Sequence, residues 1–479
     1  MSPDAPRRLA LLAGLVLVVA GISVADAVVS TPSGRVPAPA PASAVVADAA
    51  ASSSAWYCGG PAAAPAGSQA AVLLTNQGSK PVPGTIHAVS SSGSLTTEQF
   101  LLPPATALAL PVPLAAVEVL LGGGGVGAMQ QVSGPLGSSV APCSSTTSSS
   151  WYFGHGSTAG GAALQVVVWN PLPTPAVADI AFVSTSGSSS AQVVPPAFQG
   201  IPLAAGAFVV ENVGDHVPDN GSLAPAVQAL SGSVVATEVQ EYGGTPNSGL
   251  SVVDGASRPA SEWAYAANVA SPTGPVFNVV NPTNEAVSVT VAISLAQGRA
   301  APLVLQIPAQ SSASVAAQNE TRIPPGALFA INFRASGGAG IVVARQVIGP
   351  TSGPLPVNAL SSGQPGGVTR WLVPAMPPGQ LAGTFTVVGL GGRVVHVSIS
   401  EIGPSGRLTP IAGLRPVALA PGTLEFLVNP GAAVPVGERP TIVVADGPIA
   451  VQLDPMPAGA PGSDPVPAWP VVTGATRTG

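Results

Sequence analysis

The sequence predicts an all-β protein: four tandem immunoglobulin- or fibronectin-like β-sandwich repeats behind one N-terminal hydrophobic helix. Three observations predict it. Short apolar runs are broken throughout by turn formers, with 57 Gly and 54 Pro among 479 residues, as in strand-rich chains. A unit opened by tryptophan recurs four times, and such recurrence marks a repeat architecture. After the N-terminal segment, no stretch carries the apolar spacing of an amphipathic helix.

The first element, residues 1–30, is a targeting or anchoring segment. Arg7 and Arg8 precede an uncharged run of 17 residues, Leu9 to Ala25. As a helix it would span roughly 25 Å, marginal against a bilayer core of about 30 Å. The arginines orient the N-terminus inside and the rest outside. Two readings stay open: a signal peptide cleaved at Ala25-Asp26-Ala27, or an uncleaved transmembrane anchor. Residues 31–52, rich in Pro, Ala and Ser, read as a spacer, which favours the tether. Both readings place the remainder outside the cytoplasm.

The repeats follow as 53–146, 147–257, 258–366 and 367–462, with a tail at 463–479. Trp56, Trp151, Trp263 and Trp371 open them at intervals of 95, 112 and 108 residues. A tryptophan in one place in every unit is read as a packing residue; the rival reading is an aromatic platform for sugars. A short apolar strand ends 18 to 20 residues after each Trp, at Asn76, Asn170, Asn281 and Gly389. Asn and Gly tolerate the left-handed backbone of tight turns, so these are assigned as turn residues. Period-2 strands come next, clearest in Val287, Val289, Val291 and Ile293. Each unit then shows an apolar strand at a Pro corner and two apolar runs joined by a Gly-rich turn, such as Gly122 to Gly125, read as a closing hairpin.

Cys58 and Cys143 are the only cysteines. They sit at the two ends of the first unit, and in an exported chain an even count predicts a disulfide.

Charged residues are only 8% and the net charge is −6. No basic block follows Arg8, so nucleic-acid binding is excluded. His87, His155, His216 and His396 are scattered and offer no zinc spacing. No G-x-S-x-G elbow or phosphate-binding loop occurs. Glu238 and Glu241 are three apart on a strand and point to opposite faces. The densest polar patch is the loop with Glu211, Asp215, His216, Asp219 and Asn220, whose spacing fits no defined calcium loop. The expectation is no enzyme, no cofactor and no metal.

The N-terminal segment, the W-Y-C of Trp56 to Cys58, the later Cys143 and the Ala/Val/Gly-rich sandwich-like units resemble an actinobacterial family of exported envelope proteins of unknown function. The resemblance implies a cell-envelope role, beside membrane-bound envelope glycosyltransferases. The function expected is a non-catalytic, membrane-tethered scaffold or interaction module, with an envelope protein or cell-wall polysaccharide as partner. The alternatives are a cell-surface glycan-binding or adhesion protein and, further off, an envelope hydrolase.

Overall fold

Eight strands form between Ser54 and Pro142. They are β1 (Ser54–Cys58), β2 (Gln69–Asn76), β3 (Val82–Val89), β4 (Leu95–Leu102), β5 (Ala107–Val112), β6 (Ala116–Leu121), β7 (Val126–Gly134) and β8 (Gly137–Pro142). They make two antiparallel sheets, ordered β1-β6-β3-β4 and β5-β2-β7-β8. The computed structural model describes residues 42–184, 192–243, 248–295, 298–348, 358–374, 383–411, 417–421, 424–426, 439–455, 466–467 and 469–471. The hydrophobic segment and its Ala25-Asp26-Ala27 lie outside them.

The same order recurs in three further sheet pairs. In the second, Ser150–Tyr152, Leu223–Ser231 and Ala176–Ser184 face a sheet of Phe208–Asn212, Ala162–Trp169, Val235–Tyr242 and Gly249–Asp254. In the third, Glu262–Val269, Leu328–Ala335 and Val287–Leu295 face Ser311–Ala316, Val276–Asn281, Val342–Ile348 and Asn358–Ser362. In the fourth, Arg370–Val373, Thr441–Ala445 and Val395–Ile402 face Leu424–Phe426, Gly383–Gly389, Ile449–Pro455 and Val466–Pro467. The chain is therefore all-β among the described residues, as its punctuated apolar runs predict.

The strand order differs from that of a constant-type immunoglobulin domain, where the first and second strands share a sheet. Here β1 and β2 lie in opposite sheets, as do β2 and β3, and β6 and β7. The expected closing hairpin is therefore an arch. The Gly-rich turn carries the chain from β6 in one sheet to β7 in the other, and the equivalent turns do the same in the other three pairs. Both flanking strands have inward rows, Val117, Val119 and Leu121 on one side and Val126 and Ala128 on the other, and all five join one core. An arch lets the two rows face each other across that core, whereas a hairpin would set them side by side.

The sheet pairs do not stand apart. Ala63, Val132 and Ala141 of the first pack on Val167, Val239, Leu250 and Val252 of the second. Val183 and Ala224 meet Val280 and Val342 of the third. Ala264, Ala266 and Ala330 meet Val388, Leu390 and Ala450 of the fourth. Leu372, Ile402 and Ile442 of the fourth return to the core of the first. The contacts close on themselves, and residues from Pro41 onward form one compact unit.

The spacer expected at 31–52 ends sooner than its composition suggests. Ala42, Ala44 and Val46 are buried. Val46 bridges Val471 in parallel, the carbonyls of Ala47 and Ala51 accept from Gly125 and Gly124, and that of Ala42 from Ser257. Small apolar side chains let this strap enter the packed junction. Gly124 must be glycine because a Cβ there would sit 1.9 Å from the Asp48 carbonyl oxygen.

Candidate functional site

Each repeat-marker tryptophan is buried and makes the same bond. The indole Nε1 of Trp56, Trp151, Trp263 and Trp371 donates to the carbonyl of Val126, Val234, Ile341 and Ile449, at 3.0, 2.8, 2.7 and 3.1 Å. Each acceptor stands just after the arch, so the ring fills the core while its N–H pins the crossover between sheets. A buried indole needs such a partner. None of the four rings is free to act as a sugar platform.

The three asparagines are buried amide knots, and left-handed backbone is not what they supply. The only non-glycine residues with positive φ are Ala105, Asp219 and Gln310, at 50°, 51° and 48°, among the described residues. Ala105 and Gln310 occupy the Pro corners across from Asn76 and Asn281, and Gly206, at φ 73°, the corner across from Asn170. Asn76 Nδ2 donates to the carbonyls of Lys80, Leu102 and Pro103, and its Oδ1 accepts from Gly78 N at 2.7 Å. Asn170 does the same for Thr174, Leu203 and Ala204, and Asn281 for Glu285, Ile307 and Pro308. Each amide thus joins the turn that follows it to the Pro corner across from it. In the fourth pair Gly389 holds the position, where a built Cβ would make ordinary contacts, 3.8 Å from Leu419 Cβ and 4.0 Å from the Ala420 carbonyl oxygen.

Cys58 and Cys143 form the disulfide, closing a separation of 85 residues. Tyr57 pairs with Ser144 beside it, as Tyr152 pairs with Ala256 and Ala264 with Gln364. The register therefore sets Cys58 level with Phe153 and Tyr265, and Cys143 level with Gly255 and Gly363. A Cβ on Gly255 would lie 2.9 Å from the Phe153 ring, and one on Gly363 would lie 3.2 Å from the Tyr265 ring. An aromatic ring over glycine thus takes the place of the disulfide in the second and third pairs.

The histidines stay apart. His87 Nδ1 meets Glu118 Oε2 at 3.2 Å, and His396 Nδ1 meets Asp446 Oδ2 at 2.7 Å. Both histidines lie on corresponding strands of the first and fourth sheet pairs, but the register places them at different positions along those strands. His155 is buried, and desolvation pushes it down to about 4. His216 sets its ring edge-on to Phe198 at 5.2 Å. In the polar loop, Asn212 Nδ2 donates to Asp215 Oδ1 at 3.0 Å and Thr158 Oγ1 donates to the Val217 carbonyl at 2.6 Å. Glu211 is raised by burial, opposed by His216. No group of three or more His, Cys, Asp or Glu side chains is placed to hold a metal among the described residues.

The junction of the four pairs is what sequence reading missed. Its seam repeats one bond: Ser139 Oγ accepts from Val252 N at 2.9 Å, and Ser251 Oγ accepts from Leu360 N at 2.8 Å. Ser144 Oγ donates to Asp254 Oδ1 at 2.7 Å, and Ser362 Oγ donates to the Asp254 carbonyl at 3.2 Å. Gln364 exchanges bonds with both the N–H and the carbonyl of Val451 in the fourth pair. Arg345 Nη1 donates to the Ala267 carbonyl and Asn268 Oδ1 at 2.8 and 2.9 Å, and its guanidinium lies 5.2 Å from the Tyr265 ring centroid. Between these groups is a cavity of about 100 Å³, touched by Ala44, Asp254, Trp263, Arg345, Trp371 and Gln452. Burial pushes the Asp254 carboxyl up to about 8, against the Ser144 bond, so it is neutral at pH 7. Glu238, wholly buried in the second pair, is raised well above the carboxylate range by desolvation. The serines, Asp254 and Gln364 tie chain segments together, whereas neither Glu238 oxygen has a hydrogen-bond partner among the described residues. Glu238 and Asp254 carry no spacing signal in the sequence; only the apolar company of VATEVQEY and SVVDG hints at burial.

Fold and junction define a multi-sheet all-β protein whose four sheet pairs interlock. Residues 122–410 match the protein family described as "Family of unknown function (DUF5719)"; the match spans more than half of the chain, which therefore belongs to that family. No curated protein matches. Two solved structures are weakly similar. One is the crystal structure of the tetra-tandem repeat in the extending region of a large adhesion protein, at 11% identity, covering 82% of this chain and 92% of that one, with a TM-score of 0.11. The other is the Streptomyces avermitilis alpha-L-rhamnosidase complexed with L-rhamnose, at 11% identity, covering 83% of this chain and 54% of that one, with a TM-score of 0.11.

Proposed function

We propose that the chain is a non-catalytic extracytoplasmic protein of the cell envelope, tethered through its N-terminal segment, that serves as a rigid scaffold or interaction module. The observation that carries this reading is the junction. Buried serines and glutamines bond from one sheet pair to the next, which is what a rigid presenting body requires. The Cys58–Cys143 disulfide supports an oxidising compartment. We read the four pairs as tandem copies of one sandwich module, bounded near 53–146, 147–257, 258–366 and 367–462, related to immunoglobulin and fibronectin domains in architecture though not in strand order.

The test is retention on immobilised, oxidised residues 41–479 of detergent-solubilised envelope, with purified cell-wall polysaccharide in parallel. Stoichiometric retention of one membrane protein supports the scaffold. Retention of polysaccharide alone replaces it with the glycan-binding reading. Release of reducing ends from that polysaccharide overturns the non-catalytic assignment.

A further inference from the structure

A groove of about 230 Å³ lies between the third and fourth sheet pairs. Its floor is the outer face of Val287–Leu295 and Leu328–Ala335. Antiparallel register sets three rows across that floor. Ser294 lies between Arg299 and Ala330, Asn332 between Ala292 and Ala264, and Arg334 between Thr290 and Glu262. The far wall is the turn Gly389 to Gly392. Gly392 opens onto free space, with nothing within 4 Å of a built Cβ.

The floor is shallow because its residues are small. Ala292 and Ala330 leave room and Thr290 is exposed beside them, while Ser294 is buried. Asn332 Nδ2 donates to Glu262 Oε1 at 2.8 Å, and its Oδ1 has no partner among the described residues. Arg334 Nη2 donates to Glu262 Oε1 at 2.6 Å and to the Leu390 carbonyl at 3.2 Å. That leaves its Nη1 and Nε unengaged among the described residues. Arg299 has no side-chain partner among them. The two guanidinium-bearing residues stand at opposite ends of the floor. Thr290 and Ser294, which they flank, are four residues apart on one strand, so the rows are about 13 Å apart at the usual strand rise.

We propose that this groove binds an acidic glycan: a polyhydroxylated chain with anionic groups, carboxylate or phosphate, spaced to meet both arginines. Guanidinium groups recognise such anions through paired N–H donors. The exposed Thr290 hydroxyl matches a sugar hydroxyl, and the alanine floor matches the apolar face of a sugar ring. An acidic peptide fits less well. The floor strands are interior to their sheet, so their backbone groups are used in the ladder and are closed to strand addition. This proposal stands apart from the scaffold reading, and neither fails with the other.

The test is calorimetric titration of the full oxidised chain in detergent with tetragalacturonate and, separately, with a glycerol-phosphate oligomer. Maltotetraose and tetraglutamate serve as neutral and non-sugar controls. Binding of either acidic glycan is expected, with the stronger one naming the anion. Arg299→Gln, on an exposed side chain, should weaken it about tenfold. Ala292→Gln, which fills the exposed floor, should abolish it with the unfolding temperature unchanged. The proposal is overturned if neither acidic glycan binds. It is equally overturned if a control binds as tightly, or if both variants leave binding unaltered.

Discussion

At the scale of single residues, the fold depends on buried polar groups that stitch crossovers together. Asn170→Ala would remove the amide donor from the Thr174, Leu203 and Ala204 carbonyls, of which Ala204 keeps the Ala207 N–H. The cost should be about 1–3 kcal/mol, read as a lower unfolding midpoint in urea; an unchanged midpoint would show that the amide is dispensable. The buried acids and His155 give the chain a defined pH dependence. Asp254 titrates near 8 in the fold and near about 3.9 unfolded. A raised acid stabilises fully below its unfolded value and loses that contribution as pH rises through its folded one. Glu238 acts in the same direction. His155, depressed to about 4 from about 6.5, does the reverse, losing its contribution as pH falls between those values. Between about pH 6.5 and 8 the acids therefore dominate, and the unfolding temperature should fall as pH rises. Asp254→Asn should flatten that slope; a slope unchanged by the substitution would contradict the assignment. The four tryptophans and the disulfide were legible from recurrence and cysteine count. The asparagines were found for the wrong reason. Recurrence reveals that a position matters, but Asn can act through backbone or amide, and only the crossing chain's carbonyls decide which.

At the scale of elements, edges and arches matter most. β4 is an unbroken eight-residue edge. Its counterparts are split into short pieces such as Gln192–Val193 and Ile201–Leu203, a usual defence against edge-to-edge pairing. β4 is defended differently. Glu98 lies opposite Ile86, a core residue, so it sits on the inward-facing row, where a charge blocks an added strand. Glu98→Val should therefore produce dimers or larger species in sedimentation velocity, and a variant that stays monomeric would rule this defence out. The match between Cys58–Cys143 and Phe153 over Gly255 makes a second prediction. The double substitution Phe153→Cys and Gly255→Cys should oxidise to a new disulfide, seen as the loss of two free thiols on labelling. Persistent thiols under oxidising conditions would reject the equivalence. Strands were legible because period-2 patterning is local. Arches were mistaken for hairpins because a short Gly turn between apolar runs is the same string in both; which sheet each run joins depends on long-range packing.

At the scale of the whole molecule, the defining feature is closure: first pair on second, second on third, third on fourth, and fourth on first, with the strap at Ala42 to Ala51 threaded through the junction. From sequence, only contact between neighbours was legible, from short junctions such as the 8 residues from Cys143 to Trp151; the closure was not. Interface residues such as Ala264, Ala266 and Val388 look like any buried strand residue, and the strap's Ala and Pro content looks like a linker. Its packing leads to a further expectation. A chain beginning at residue 53 should unfold at a lower temperature than one beginning at 41, because Ala42, Ala44 and Val46 no longer fill their sites; equal temperatures would show that the strap contributes nothing. The most direct test of the interlocked arrangement is small-angle X-ray scattering of oxidised residues 41–479. A single compact body of this length should give a radius of gyration of about 22 Å. A value far above that, with the distance distribution of a rod, would contradict the closed junction.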